Sequence, residues 1–579
     1  MTKLVTFALL TALSFSAIPV QADVKNNAPK AIRVAPSAPK ISDAERQSEL
    51  AKRRAKVIEK MADNSMLVLM SATPKNYAGD VDFMYRQENN LYYLTNLKQN
   101  NATLVLTKIG GQGGEFLFLP KRNPANETWN GKMYSREDVN RISGIKTQID
   151  SSELKDFLSA LKDKKSFASK DGANISANAA LVYMLLPEDD SDGDGKAEYQ
   201  RESEFAKSAA GVKIENARAF FDELRLVKSP FEIKLMQHAI DITTEAQMRS
   251  MAMVGKAKWE YEVQAEVEYT FRRRNADYWG YPSIVGCGPN ATTLHYVESQ
   301  GEVKPNDLML MDVGAEYDHY TADVTRTYPV NGKFSKEQAE IYQIVYDAQE
   351  AAAKAVKPGA NFSQVSQASD KVLKEGLAKL GLITAPNATY QVIFQGKTIE
   401  LPQFKIWYMH GFGHWLGMNV HDVGDYRTPL AAGMIFTNEP GIYIREDALD
   451  YFADTPANKA FLEKIRPTFE KYKNIGVRIE DDLLVTATGA EWMTKNLPRK
   501  ISEIEAFMAQ ASKEMNYTAA KFDVNPTLST IDFRDFSSAN LFDWKDKPLN
   551  GATIRRGWIS SGKAIADSGL THLRHTHGE

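Results

Sequence analysis

The sequence predicts an α/β domain followed by a second, larger domain. The chain has 579 residues, about three to four domain-equivalents, which is more than one hydrophobic core usually serves. Short apolar runs alternate with polar helical stretches up to about residue 220, a pattern typical of α/β domains. Ser229, Pro230 and Glu232 then form a capping-box pattern that predicts a long helix. We therefore place the second domain at residues 225–500 and expect a linker around residues 205–228.

Composition and charge place the chain among ordinary folded proteins. Hydrophobic residues make up 43% of the chain and charged residues 25%, and the formal net charge is −3. These proportions are typical of globular proteins. A balanced charge provides no electrostatic basis for binding nucleic acid, so we expect no nucleic-acid partner. The single cysteine, Cys287, excludes an intrachain disulfide and a cysteine-based zinc finger.

Residues 1–22 have the pattern of a secretory signal peptide. A mostly apolar run at residues 4–18 is followed by small residues that allow cleavage after Ala22. The alternative is a membrane anchor, but the run falls short of the ~20 residues that span a bilayer, and Pro19 ends it. We therefore expect an exported protein, periplasmic or secreted, without a membrane anchor.

The amino-terminal domain is predicted at residues 43–220, after a flexible lead-in at residues 23–42 that is rich in Ala, Pro, Asn and Lys. Ser42 and Glu45 are spaced to begin a charged helix. Three apolar runs predict strands at residues 66–70, 103–107 and 115–119. Nothing in this domain indicates a cluster of metal ligands or a nucleophile.

An acidic segment at residues 190–195 matches the first half of an EF-hand calcium loop, with Gly195 at the sixth position. The twelfth position, which requires a bidentate Glu, is Arg201. Calcium binding and a solvated acidic loop therefore both stay open.

Two aspartates in the second domain are predicted to face each other across a hairpin. An apolar run ends in Asp312, and an alternating run that follows contains Asp323. A turn centred on Tyr317 and Asp318 would place the two directly opposite, with Cβ atoms about 4.5–5.5 Å apart. Two carboxylates that close repel unless a proton or a cation lies between them. The pair therefore favours a metal site over two solvated acids.

A histidine cluster follows. His410, His414 and His421 lie within one short segment, where Gly411 and Gly413 indicate a loop and not the helical His-Glu-x-x-His zinc motif. A loop with these glycines lets the backbone approach a ligand closely.

Two further acids complete the set. Glu439 ends the apolar strand predicted at residues 434–436, just before a Pro-Gly turn. Farther on, strand alternation sends Arg478 and Glu480 to the side opposite Val477. A strand that directs a charged pair into a domain needs a partner for it, and a metal centre would be that partner.

Four acids and one histidine of the cluster predict an oxygen-rich metal centre, in which the acids are Asp312, Asp323, Glu439 and Glu480. This number of ligands suits two divalent ions about 3.5–4 Å apart, with Mn²⁺ as the first candidate and Zn²⁺ or Co²⁺ possible. Such a pair lowers the pKa of a bridging water and makes hydroxide available near neutral pH. The chemistry indicated is hydrolysis.

These residues resemble the pita-bread metallopeptidases, and among them aminopeptidase P (Xaa-Pro aminopeptidase). The resemblance covers roughly residues 45–500 and depends on several motifs together, because each alone is weak. The motifs are Val285-Gly-Cys-Gly-Pro-Asn, Leu294-His-Tyr296, Met311-Asp-Val-Gly314, His410-Gly-x-Gly-His414-Trp-Leu-Gly417, Val420-His-Asp-Val-Gly424, Asn438-Glu-Pro-Gly441, Gly476-Val-Arg-Ile-Glu-Asp-Asp482, and, in the amino-terminal domain, Tyr85-Arg86-Gln87 and Glu127-x-Trp129-x-Gly131.

The resemblance implies an α/β amino-terminal domain and an α+β pita-bread catalytic domain. It implies that Asp312 chelates one metal, that Asp323 and Glu480 bridge both, and that His414 and Glu439 complete the ligand shells. His295, His410 and His421 match family histidines that contact the substrate around the scissile carbonyl. Glu439 would also carry the proton to the leaving proline nitrogen, and Arg478 would help to hold the carboxylates.

The implied reaction removes the N-terminal residue from peptides with proline in second position. Two alternatives stay open: a prolidase, which cleaves only Xaa-Pro dipeptides, and a pita-bread module that binds without catalysis. We further expect a homo-oligomer, an insertion at the site rim within residues 445–473, and a carboxy-terminal extension of unknown role at residues 501–579.

Overall fold

The computed structural model describes residues 31–176, 179–187, 198–394, 397–515 and 517. The expected signal peptide at residues 1–22, the acidic loop at 190–195 and most of the carboxy-terminal extension lie outside these ranges. Within the ranges, the helices are all too short or too polar to cross a bilayer.

The amino-terminal domain is a mixed six-stranded sheet with helices. The helices are α1 Asp43–Lys60, α2 Asn89–Thr95, α3 Pro124–Asn130, α4 Arg136–Ser143, α5 Leu154–Lys162, α6 Gln200–Ser208 and α7 Arg218–Leu226. The strands are β1 Ser65–Met70, β2 Asn76–Ala78, β3 Val81–Asp82, β4 Thr103–Ile109, β5 Gln112–Leu119, β6 Gln148–Asp150, β7 Phe167–Ala168, β8 Asn174–Ile175, β9 Leu181–Met184 and β10 Lys213–Asn216. The sheet order is β10-β9-β1-β4-β5-β6.

The three predicted strands are confirmed as β1, β4 and β5. Strand β1 is central and buried on both faces: Leu67 and Leu69 belong to one hydrophobic cluster, Met66 and Val68 to another. The start of α1 is also confirmed, because the Ser42 Oγ accepts a hydrogen bond from the Glu45 N–H at 3.1 Å.

The linker that we expected around residues 205–228 is not a linker. This segment contains the end of α6, all of α7 and the edge strand β10, which pairs in parallel with β9. Phe205 in α6 and Phe221 in α7 are both buried, so each helix packs an apolar face against the rest of the protein. The segment therefore completes the amino-terminal domain.

The expected flexible lead-in also makes defined contacts in its second half. Ile32 and Ala35 are buried in the core of the second domain. The Ala35 N–H donates to the Glu245 carboxylate at 2.7 Å. Residues 31–42 thus pack against the second domain without forming a helix or strand.

The second domain surrounds its site with short antiparallel sheets and long helices. The helices are α8 Pro230–Met253, α9 Glu260–Arg273, α10 Lys336–Ala355, α11 Phe362–Leu380, α12 Pro456–Tyr472 and α13 Ile501–Glu514. The strands are β11 Tyr278–Trp279, β12 Ile284–Cys287, β13 Leu308–Val313, β14 Ala315–Tyr317, β15 Tyr320–Thr321, β16 Val324–Pro329, β17 Thr389–Phe394, β18 Lys397–Pro402, β19 Ile435–Asn438, β20 Gly441–Ile444, β21 Ile475–Arg478, β22 Asp481–Val485 and β23 Ala490–Trp492. The predicted capping box at Ser229 is confirmed at the start of α8.

The predicted pairing of Asp312 with Asp323 is wrong by two residues. Strands β13 and β16 pair with Asp312 opposite Thr325, because the hairpin turns at Asp318 and His319 and not one residue earlier. Both turn residues have positive φ, 51° and 66°, as the two-residue loop of a type I′ hairpin requires. A shift by an even number of residues keeps the two carboxylates on one face, as diagonal neighbours.

Two segments beyond the central strands are ordered parts of this domain. The polar stretch within residues 445–473 contains α12, which buries Phe461 and Phe469 and exchanges hydrogen bonds with β17 between Asn458 and Gln391 at 2.8–2.9 Å. The first part of the expected extension is α13, whose Ile504 is buried in the main core.

Candidate active site

The predicted metal ligands converge at the ends of three strand pairs. Asp312 lies in β13, Asp323 directly precedes β16, and Glu480 lies between β21 and β22. Asp323, His414 and Glu480 each place a ligand atom within 4.8 Å of the other two. The His414 Nε2 lies 3.3 Å from both an Asp323 and a Glu439 oxygen. The structure therefore brings together residues from distant parts of the chain.

Asp312 joins this group through Arg478 and a tyrosine. The Arg478 Nη2 lies 2.5 Å from one Asp312 oxygen. The Tyr281 hydroxyl lies 2.5 Å from the other Asp312 oxygen and 2.6 Å from an Asp323 oxygen. Arg478 thus lies where strand alternation predicted it, on the side of the carboxylates.

His414 is held in one orientation by its backbone. Its N–H donates to the Thr437 Oγ1 at 3.0 Å, and the Thr437 N–H donates to the His414 carbonyl at 2.9 Å. A Cβ at Gly413 would lie 1.9 Å from the Thr437 carbonyl oxygen, so only glycine allows this approach. The ring Nδ1 lies 3.2 Å from the Trp415 carbonyl oxygen, which directs Nε2 toward the carboxylates.

The buried carboxyl groups of this cluster need a nearby positive charge to be ionised together. Burial, and then the charge of Asp312, raise the pKa of Asp323; burial and the neighbouring acids raise the pKa of Glu480 well above its usual range. Burial raises the pKa of Glu439 to about 7, helped by the charge of Asp323 against the opposing effect of His414. Burial also opposes ionisation of Asp312, but Arg478 and Tyr281 outweigh it and lower its pKa.

The donor set fits divalent cations. Burial lowers the pKa of His414, yet Asp323 and Glu439 outweigh this and raise it to about 9, so a proton is drawn to the position that a cation would take. Carboxylate oxygens with one imidazole are hard ligands suited to Mn²⁺ and, in smaller number, to Zn²⁺. We conclude that these side chains match a metal centre.

The other three predicted histidines lie around this cluster. The His410 Nε2 is 2.8 Å from the Tyr443 hydroxyl, and the oxygen of this hydroxyl accepts a hydrogen bond from the Arg478 Nη1 at 2.8 Å. The His421 ring packs edge-on against His414, with centroids 4.2 Å apart. Burial and the charge of His414 lower the pKa of His421 to about 4.

His295 is exposed and lies close enough to His421 to lower its pKa. Its loop is anchored by the next residue, because the Tyr296 hydroxyl donates to the fully buried Glu260 carboxylate at 2.8 Å. The same Glu260 oxygen accepts the Gly301 N–H at 2.6 Å.

Known proteins match this chain over most of its length. Residues 234–487 match metallopeptidase family M24, and residues 50–168 match the aminopeptidase P N-terminal domain. The Xaa-Pro aminopeptidase of Haemophilus influenzae is 36% identical over 469 residues, which cover 80% of this chain and 97% of that protein. The chain belongs to metallopeptidase family M24.

Further comparisons agree with this family. The Xaa-Pro aminopeptidase of Escherichia coli is 32% identical over 479 residues, covering 82% of this chain and 100% of that protein. The structure of E. coli aminopeptidase P with the inhibitor Pro-Leu has a TM-score of 0.66 and 30% identity, and covers 82% of this chain and 100% of that chain. The predicted pita-bread fold and the resemblance to aminopeptidase P are confirmed. The protein is a metallo-aminopeptidase that depends on divalent metal.

Sequence reasoning missed several polar partners of the M24 site. Tyr281 precedes a strand and carries no charge, so nothing in its surroundings marks it. Thr325, whose hydroxyl donates to Glu480 at 2.6 Å, shares a strand face with Asp323 and could have been found by alternation. Tyr443 lies two residues after Gly441, in the strand that follows the Pro-Gly turn after Glu439. This position was the available signal in the sequence.

We expect Tyr281→Phe to weaken metal binding by about tenfold, since groups that orient ligands commonly contribute 10–100-fold to metal affinity or activity. Loss of the hydroxyl removes the contact that joins Asp312 and Asp323. Titration of the metal-free protein with Mn²⁺ by calorimetry measures the change. The exposed Tyr451→Phe variant is the control, and an affinity equal to that of the wild type would contradict the role of Tyr281.

Proposed function

We propose that this enzyme removes the N-terminal residue from peptides that carry proline in second position. The observation that carries the proposal is the convergence of Asp323, His414, Glu439 and Glu480 in a chain that covers 97% and 100% of two Xaa-Pro aminopeptidases. The peptide bond before proline is tertiary and has no N–H. Peptidases that bind this N–H handle the bond poorly, which creates a need for a dedicated enzyme.

The proposed cofactor is a pair of divalent ions, with Mn²⁺ as the first candidate and Zn²⁺ or Co²⁺ as alternatives. Its holders would be Asp312, Asp323, His414, Glu439 and Glu480, with Asp323 and Glu480 shared between the two ions. When bound, the pair would supply Lewis acidity and a bridging hydroxide near neutral pH. The mutual repulsion of the acids and the orientation of His414 support this proposal.

The chain's own residues would handle the protons and the substrate. Glu439 would accept a proton and pass it to the leaving proline nitrogen, since a carboxylate at the cluster can act as a general base and then as a general acid. The Thr437 hydroxyl, 3.1 Å from a Glu439 oxygen, would hold that carboxylate in place. This hydrogen bond leaves the second Glu439 oxygen, 3.6 Å from the His410 Nδ1, facing the histidine side of the site.

The histidines would bind the peptide around the scissile carbonyl. His421 and His295 lie on the exposed side of the cluster, where a substrate can reach them. His410 is held by Tyr443, and Tyr443 by Arg478, so hydrogen bonds connect this histidine to the carboxylate network. Arg478 would thereby steady both Asp312 and the carbonyl-binding side.

Product analysis tests this proposal against the prolidase alternative. The purified full chain, loaded with Mn²⁺, is incubated with an Xaa-Pro dipeptide and separately with a longer Xaa-Pro peptide, and products are identified by mass spectrometry. We expect release of the first residue from the longer peptide, loss of activity after chelation and recovery with Mn²⁺. Cleavage of the dipeptide alone would establish prolidase, and metal binding without any cleavage would indicate a binding module.

A further inference from the structure

The loop that carries His421 is built around the next side chain, Asp422. The Asp422 N–H donates to the Trp415 carbonyl at 2.9 Å, which closes the loop directly after His414. A Cβ on Gly417 would lie 2.0 Å from an Asp422 oxygen, so the backbone turns tightly around this carboxylate. This closure places the His421 ring against His414.

Asp422 is held from outside the loop by two buried cations. The Arg225 Nη2 at the end of α7 lies 2.5 Å from one Asp422 oxygen, and the Lys228 Nζ lies 3.6 Å from the other. The side chains of all three residues are at most 2% exposed. A buried carboxylate with this surrounding cannot shift without leaving charges unpaired.

The amino-terminal domain contacts the same loop through residues 86–90. The proposed reaction does not involve these residues. The Arg86 Nη2 donates to the Met418 carbonyl at 2.7 Å, and the Asn89 amide donates to the Asn419 side chain at 2.7 Å. Asn90 accepts a hydrogen bond from Arg225 at 2.8 Å. Arg86, just before α2, and Asn89 and Asn90, in its first turn, thus contact the loop or its anchor.

We propose that Asp422 is a positioning residue for His421, and that the amino-terminal domain holds its loop in place through Arg86 and Arg225. The inference rests on the proposed function insofar as His421 acts on the peptide. Neither Asp422 nor Arg86 needs to contact substrate or metal: the loop geometry transmits their effect. The amino-terminal domain then contributes to the active site of its own chain by positioning the His421 loop.

A double-mutant cycle tests the coupling in the Mn²⁺-loaded full chain with a longer Xaa-Pro peptide. We expect Asp422→Asn to lower kcat about tenfold or more with unchanged metal content and little change in KM. In the His421→Ala background the same substitution should cause no further loss of kcat. An equal loss in both backgrounds would overturn the proposal, because Asp422 would then act independently of His421.

A second variant covers the case in which Asp422→Asn fails to fold with two buried cations unpaired. Arg86→Gln removes a side chain that is 39% exposed and that pairs with the buried Glu316 at 2.9 Å. Because burial already raises the pKa of Glu316, this carboxyl can take up a proton when the guanidinium is lost. We therefore expect a folded protein with a lower kcat that is again not additive with His421→Ala. Arg141→Gln, on the outer surface of the same domain, is the control with unchanged kcat.

Hydrogen exchange separates this inference from the proposed function. In Arg86→Gln, amides of residues 415–422 should exchange faster than in the wild type and in Arg141→Gln, whether or not any peptide is cleaved. Unchanged exchange in this loop would overturn the proposal. If the wild type cleaves no Xaa-Pro peptide, the proposed function fails, and the exchange measurement still decides whether the domain holds the loop.

Discussion

Asp323→Ala and Glu480→Ala are each expected to abolish turnover, with kcat/KM reduced on the order of a thousandfold or more. Each substitution removes a carboxylate that the proposal shares between two ions. Metal-centred stabilisation of the transition state is worth several kcal/mol, and each 1.36 kcal/mol is tenfold in rate. Metal content, measured by elemental analysis after dialysis, should fall together with activity.

These variants should still fold, which makes their failure informative. Burial, and then the charges of neighbouring acids, raise the pKa of Asp323 and Glu480, so removing one acid relieves both costs in the metal-free protein. We therefore expect the metal-free variants to unfold at a temperature no lower than that of the metal-free wild type. Asp454→Ala, at an exposed position of the same domain, is the control. Full activity in Asp323→Ala would end the dinuclear proposal.

His421→Ala is expected to retain metal but to lower kcat by about 10²–10³-fold, the usual effect of losing one group that stabilises developing charge. The His421 ring touches His414, yet it is not among the three residues whose ligand atoms converge. The substitution should therefore separate chemistry from metal binding. Steady-state kinetics and elemental analysis on the same sample measure both.

The control for His421→Ala comes from the neighbouring segment. Arg427 is exposed and pairs with Asp425, so Arg427→Ala should leave kcat unchanged. Loss of metal in His421→Ala would show that the histidine is a ligand or supports one, and our assignment of its role would be wrong. An unchanged kcat would remove His421 from the mechanism.

Local patterns identified most of the chemical groups of the site. Strand alternation placed Arg478 and Glu480 on one side, and glycine spacing marked the loop around His414, because both signals depend on neighbouring residues alone. The hairpin register was wrong because it depends on which two residues take positive φ, here Asp318 and His319. The segment at residues 205–228 was misread because its two helices and edge strand are stabilised mainly by tertiary burial.

Partners that come from distant segments of the chain were beyond this reasoning. Tyr281 contacts Asp312 and Asp323 across the fold, and only its position in the folded structure shows that it belongs to the site. The same holds for the contacts of Arg86 and Asn89 with the His421 loop, which join residues more than three hundred positions apart.

The sequence by itself determined the two-domain order, the capped helices, the candidate acids and histidines and the family that they resemble, because caps, periodicity and motifs are properties of short segments. Only the tertiary structure decided the hairpin register, the distances among the carboxylates and the hydrogen bonds between the amino-terminal domain and the loop that carries His421. Those properties arise when distant segments pack against each other and exclude water. Buried charges and hydroxyls must then pair with polar groups from whichever segments lie next to them.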